Sequence, residues 1–291
     1  KELGKTALDA TPASIHDHRE DLPDSIRFNQ IIGYEAQKQS LKDMIALFKN
    51  TAVAERWGIT PPRGVILHGP PGTGKTTLAS AFAAELDAHL ITIGTTQVNE
   101  KWVGSSARNL EEFFDDAEEY FPDLVVMCFD EIDSTIGSSG NSGVDNSVLG
   151  IFKTRMTELR KNVFVIGTTN DIHQIDEAVL RSGRFDVKLG VPLPQEDERR
   201  DIFSGLIATT ATNAISSIDF SDKQPTVRHD IFTHDIDCSA LAKLSEGLSG
   251  ADITEILRRA KNEKALHEIR TGEIDPITQK NLEQLVREFY R

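Results

Sequence analysis

The sequence predicts an α/β protein, a five-stranded parallel sheet flanked by helices and followed by a small helical domain. Three observations predict it. Apolar runs at 65–67, 90–93, 124–129, 163–167 and 187–191 alternate with segments of helical periodicity, the order that builds a parallel sheet covered on both faces. The first run opens into a glycine-rich turn, and a helix-compatible segment leaves that turn. Beyond Pro194 the strand signals stop and helical periodicity takes over, as in Ile202, Phe203 and Leu206 or in Ile253, Ile256, Leu257 and Ala260.

Taken in order, residues 1–27 mix charges and prolines and read as a linker. His16 and His18 flank Asp17 there, but two histidines at that spacing in a polar segment are far more often solvated than metal-bound. A large α/β domain is expected over 28–195, opening on Ile31-Ile32-Gly33 and a helix carrying Leu41, Met44, Ile45 and Phe48. The residues at 90–93 alternate as a strand, Leu110, Phe113, Phe114 and Ala117 mark an amphipathic helix, and a further helix is expected over 146–159. The helical domain is expected over 196–291, interrupted by a long polar loop or insertion at about 208–237.

The chain of 291 residues can bury a substantial core, and 38% hydrophobic with 27% charged residues reads as soluble and globular. Its longest apolar run, 124–129, is too short to span a bilayer, and no charged segment followed by an apolar stretch opens the chain. The first residue is Lys1 rather than methionine, which leaves room for a preceding segment. Two cysteines, Cys128 and Cys238, fit a reducing, cytoplasmic location. A formal charge of -14 without a dense Lys/Arg cluster opposes nucleic-acid binding, which depends on neutralising phosphates.

The turn after the first apolar run carries the chemistry. Gly69, Gly74, Lys75 and Thr76 satisfy G-x-x-x-x-G-K-[ST]. Gly69, Gly72 and Gly74 allow backbone with φ > 0, so successive amides can turn inward around phosphate oxygens. A helix expected over 76–86 adds the positive end of its dipole, Lys75 a charge for the β- and γ-phosphates, and the Thr76 hydroxyl a ligand for Mg²⁺. A second element lies at Asp130 and Glu131, where a buried strand ends in two acids. One carboxylate can hold Mg²⁺ and the adjacent one can polarise an attacking water.

With these residues in view the chain resembles an AAA ATPase module over roughly residues 28–270, in the branch of protein unfoldases and remodellers that includes proteasomal ATPases and Cdc48-like modules. Gly-Pro-Pro-Gly-Thr-Gly-Lys-Thr at 69–76 is similar to the family's Walker A, and Cys-Phe-Asp-Glu-Ile-Asp at 128–133 to its Walker B. Gly-Thr-Thr-Asn at 167–170 is similar to sensor 1, the segment 176–186 to the second region of homology, and 248–252 to the start of the lid helix.

The resemblance implies Mg²⁺ and ATP as ligands, with nucleotide contacts from Gly69, Pro70, Pro71, Gly72, Thr73, Gly74, Lys75, Thr76 and Thr77. It implies an adenine slot of Ile31, Ile32, Gly250 and Ala251, a water-orienting Asn170, and arginine fingers Arg181 and Arg184 that reach a neighbouring subunit's nucleotide. Lys101, Trp102, Val103 and Gly104 correspond to a pore loop that grips polypeptide, and 137–143 to a second one. Phe289, Tyr290 and Arg291 resemble the tail with which proteasomal ATPases dock into a proteolytic chamber.

The implied function is a homo-oligomeric ring, a hexamer, that hydrolyses Mg-ATP to thread, unfold or remodel a protein substrate. The alternative is an ATP-dependent loader or switch acting on a nucleic-acid-handling partner. Departures from the family pattern fall at Ser105, Ala107 and Glu111, at Thr157-Glu158-Leu159 where Asp-Gly-Phe is common, and at Leu206 where several relatives carry histidine. No H-E-x-x-H is encoded, so the fused metalloprotease of membrane-anchored relatives is absent from this sequence.

Overall fold

Aliphatic runs bounded by Gly, Asp and Asn become the strands of one sheet. The computed structural model describes residues 26–94, 106–136, 146–181, 183–216 and 231–290. Strands β1 (Gly64–His68), β2 (His89–Ile93), β3 (Val125–Phe129), β4 (Val163–Thr169) and β5 (Val187–Gly190) form a five-stranded parallel sheet in the order β2-β3-β4-β1-β5. Its register sets Ile91 opposite Met127 and Met127 opposite Val165. Every residue of β3 and β4 is buried, as central strands covered on both faces require.

Six helices accompany the sheet strands along the chain among the described residues: α1 (Glu35–Lys49), α2 (Thr51–Arg56), α3 (Lys75–Leu86), α4 (Ser106–Glu119), α5 (Ile132–Ile136) and α6 (Asn146–Glu158). Helix α4 buries Leu110, Phe114 and Ala117 at helical spacing and keeps an Arg108–Glu112 ion pair on its solvent side. Phe152 of α6 stands at the centre of an aromatic cluster, its ring 5.3 Å from Phe129, 5.9 Å from Phe114 and 5.9 Å from Phe185. Such pairs add to the free energy of burial itself.

The later helices are α7 (Glu196–Ser216), α8 (Cys238–Leu244), α9 (Gly250–Thr271) and α10 (Gln279–Phe289). Phe203, Leu241, Ile256, Leu282 and Val286 form their shared core. Capping is explicit: Ser249 and Asp252 bond each other's backbone N–H at the start of α9, and Thr278 and Asn281 do the same at α10. A parallel bridge, Phe232 to Ile277, accompanies the helices. Buried Arg199 donates to the carbonyls of Ala242 and Pro194, fixing the first turn of α7 against α8.

The loop expected from Ala208 is corrected here, because α7 continues to Ser216. The hydroxyls of Thr209 and Thr210 donate to the carbonyls of Gly205 and Leu206, both at 2.8 Å, which lets polar residues ride a helix instead of ending it. Of the rest of the expected insertion, 217–230 lies outside the described residues, as do the linker histidines, while 231–237 is described and includes Phe232 of the bridge to Ile277.

By compactness the chain divides into two units. One combines Asp43–Leu67 with Ala79–Lys188, and the other combines Phe28–Lys42, His68–Leu78 and Leu189–Arg291. The first contains the aromatic cluster. Phe152→Ala should lower its unfolding free energy by about 3–5 kcal/mol, read as a reduced urea midpoint at unchanged slope; a midpoint equal to wild type would contradict the packing role.

Candidate active site

The phosphate loop is shaped by close backbone contacts. Gly69 has φ 149, and a Cβ there would stand 2.2 Å from the Val191 carbonyl oxygen, so only glycine passes. Gly72 has φ 74 and faces the start of α9, where a Cβ would meet Ser249 Oγ at 2.4 Å. The Ala251 N–H donates to the Gly72 carbonyl at 3.2 Å, tying the loop to that helix. Thr73 is buried and its hydroxyl donates to the Pro70 carbonyl at 3.0 Å.

Lys75, the first residue of α3, is buried, and its ammonium donates to the Gly69 and Pro70 carbonyls at 2.8 and 2.9 Å. The cation therefore lies over the loop's own backbone, on the residues that would cradle phosphate. Pro70, Pro71, Thr76 and Thr77 are exposed beside it.

The acids form a second arrangement around one hydroxyl. Thr168 of β4 donates from Oγ1 to Asp130 Oδ1 at 2.6 Å, and the same oxygen accepts the Glu131 backbone N–H at 3.1 Å. Asp130 is half-buried and its N–H donates to the Ile93 carbonyl. Glu131 takes φ 50, a left-handed conformation unusual for a non-glycine residue, and its side chain is exposed. Ser134 caps the turn by donating to the Glu131 carbonyl at 2.6 Å. Asn170 follows β4 directly and is exposed.

Arg181 and Arg184 have different surroundings. Arg184 donates to the Ala178 carbonyl and is half-buried, whereas Arg181 is exposed. The turn that carries them is held by Asp186, which accepts the Gly183 N–H at 2.7 Å, and by Asp176, which pairs with Lys153 at 3.1 Å. The Asp176 carboxyl lies below its ordinary range; burial opposes that shift, and the bonds from Lys153 and the Ala178 N–H, with the charge of Arg181, outweigh it.

Ile31 and Ile32 are half-buried in the turn after a short 3-10 helix, and Gly250 and Ala251 begin α9. Residues 65–193 match the profile of the ATPase family associated with various cellular activities (AAA), and residues 235–284 match the AAA+ lid domain.

The chain carries an AAA+ ATPase module. It is accordingly an ATP hydrolase with a nucleotide-binding site. The AAA+ module gathers Gly69 to Lys75 and the Gly250–Ala251 helix start at one place, joined through Gly72. Asp130 and Glu131 it joins through Thr168. Lys101 to Gly104, the segment 137–143 and Arg291 lie outside the described residues. Of the tail, Phe289 packs into the helical core beneath Arg259, and the Tyr290 hydroxyl donates to the Glu246 carbonyl at 2.6 Å. Among the described residues no helix is long and apolar enough to cross a membrane.

Sequence reasoning took Thr168 only as part of the sensor-1 segment 167–170 and gave it no role of its own, because a threonine inside a β-branched run reads as an ordinary strand residue. It took Ser249 only as part of the lid-helix start at 248–252, although Ser-x-x-Asp before an apolar periodicity is a capping signal. Replacing Thr168 with Val removes the hydroxyl while keeping the shape. This variant should bind ATP as wild type does and lose kcat by about 10²-fold; a kcat within a factor of a few would deny Thr168 any role in orienting the acids.

Proposed function

We propose that this ATPase works as a homo-oligomeric ring, a hexamer, that uses Mg-ATP hydrolysis to thread, unfold or remodel protein substrates. The observation that carries the hydrolytic half is the Thr168 hydroxyl bonded to both Asp130 and the Glu131 backbone, which orients a metal-binding and a water-activating carboxylate together. The protein-substrate half rests on the sequence of Lys101 to Gly104, whose aromatic, hydrophobic and glycine residues suit gripping a polypeptide.

The donor set fits the ligands. Thr76 Oγ1 and the Asp130 carboxylate are hard oxygen donors of the kind Mg²⁺ takes alongside phosphate and water. The Lys75 ammonium lies over the loop's own carbonyls, and Gly69 and Gly72 place no side chain beside them. When bound, Mg²⁺ supplies charge neutralisation at the β- and γ-phosphates. Lys75 and the loop amides bind the phosphates, Glu131 takes a proton from the attacking water, and Asn170 orients that water. Arg181 and Arg184 act on the neighbouring subunit's nucleotide, with Arg181 exposed for that task and Arg184 exchanging its Ala178 bond for it. In this reading Ile31, Ile32, Gly250 and Ala251 hold adenine.

The functional division follows chain order, with a linker at 1–27, the nucleotide-binding domain at 28–195 and the lid at 196–291. The location is cytoplasmic. Docking of Phe289, Tyr290 and Arg291 into a proteolytic chamber belongs to the same proposal, and it requires Phe289 to leave its packing and Tyr290 its bond to Glu246.

Glu131→Gln should retain ATP binding and lower turnover by about 10²–10⁴-fold, measured as phosphate release against equilibrium nucleotide binding; turnover near wild type would remove Glu131 from the role of base. Trp102→Ala should still hydrolyse ATP and lose unfolding of a tagged protein, and retained unfolding would sink the threading assignment. DNA-stimulated hydrolysis would favour the loader alternative.

A further inference from the structure

Glu198 stands in an acidic cluster, Glu196, Asp197 and Glu198, at the first turn of α7. Acids there are ordinarily helix-dipole partners facing water. Glu198 caps its own helix and does more. Its Oε1 accepts the backbone N–H of Tyr34 at 2.9 Å, and its Oε2 accepts the backbone N–H of Gln195 at 2.9 Å. One carboxylate thus joins the entry to α7 to a turn 164 residues earlier in the chain.

That turn is the one bearing Ile31 and Ile32. It closes through two consecutive left-handed residues, Gly33 at φ 76 and Tyr34 at φ 59, the second of them a bulky side chain for which this conformation is strained. Gly33 lies so near the carboxylate that a Cβ would stand 3.0 Å from Glu198 Oε1. Buried Lys38 holds the other end, its ammonium donating to the Ile31 carbonyl at 2.7 Å and more weakly to that of Phe28. The Ile32 side chain continues into α7, where a Cβ on Gly205 would touch its Cδ1 at 2.3 Å. A strained turn persists only where its surroundings over-determine it, and here the charged acceptor is supplied by α7.

We infer that Glu198 is a positioning residue for the base of the nucleotide, holding the Ile31–Ile32 turn in its binding shape and linking that shape to the first lid helix. The inference rests on the assignment of Ile31 and Ile32 to the adenine slot, and it adds a dependence of base affinity on α7. Hydrogen bonds to a charged group are the strong class, so losing this one relaxes the turn without touching the phosphate loop.

The test separates base from phosphate. Displacement of a fluorescent ATP analogue is measured on the full chain with unlabelled Mg-ATP and with Mg-tripolyphosphate, which carries the phosphates and no base. Glu198→Ala should weaken ATP about tenfold and leave tripolyphosphate within about twofold of wild type. Glu198→Gln keeps one carbonyl acceptor and should fall between. Parallel weakening of both ligands in Glu198→Ala, or ATP affinity equal to wild type, overturns the role of Glu198. If wild type itself binds tripolyphosphate as tightly as ATP, the adenine-slot assignment falls, and the inference with it. An intact wild-type preference for ATP that survives Glu198→Ala removes only Glu198.

Discussion

A parallel sheet buried on both faces has no wall left for polar chemistry, so its reactive groups are confined to the ends of its strands. Strands β3 and β4 expose none of their residues. The Cys128 thiol is pushed up to about 12, first by burial and then by the nearby Asp130 charge, which keeps it an inert core group. Asp130 and Glu131 come immediately after β3, Asn170 immediately after β4, and the phosphate loop immediately after β1. Position in the strand, more than residue type, decides which of these groups can meet a ligand.

Rigidity at those strand ends comes from neighbours donating or accepting single hydrogen bonds at well-chosen places. The Thr168 hydroxyl serves two acids at once, and an aliphatic residue of the same size would leave the Glu131 N–H without that acceptor. The phosphate loop is instead fixed by exclusion, since Val191 and Ser249 stand where side chains on Gly69 and Gly72 would go. Both devices fix geometry in advance, the condition under which charged groups act on a transition state without reorganising first.

Much of this was legible in the sequence because it is written in period and punctuation. The strands announced themselves as short apolar runs, and the glycine spacing of the loop has few structural uses other than anion binding. The end of α7 was not legible: Thr209 and Thr210 look like loop residues until their hydroxyls are seen returning to the carbonyls four residues earlier. Thr168 and Glu198 were hidden for the opposite reason, since each is an unremarkable residue in its element. Threonine suits a strand and glutamate suits a first helical turn, so only the distant partner distinguishes them. Long-range pairing to a backbone N–H leaves no periodic trace.

The left-handed backbone at Glu131 has a consequence for how this protein can change. Glycine or asparagine would adopt φ 50 at lower conformational cost than glutamate, so the residue that best suits the chain's geometry there is not the one the proposed mechanism needs. With Glu131 as the proposed base, stability and turnover pull this single position in opposite directions. A selection that rewarded only resistance to unfolding would trade the carboxylate away, and under the proposed mechanism that leaves a sturdier protein able to hold its nucleotide and unable to spend it.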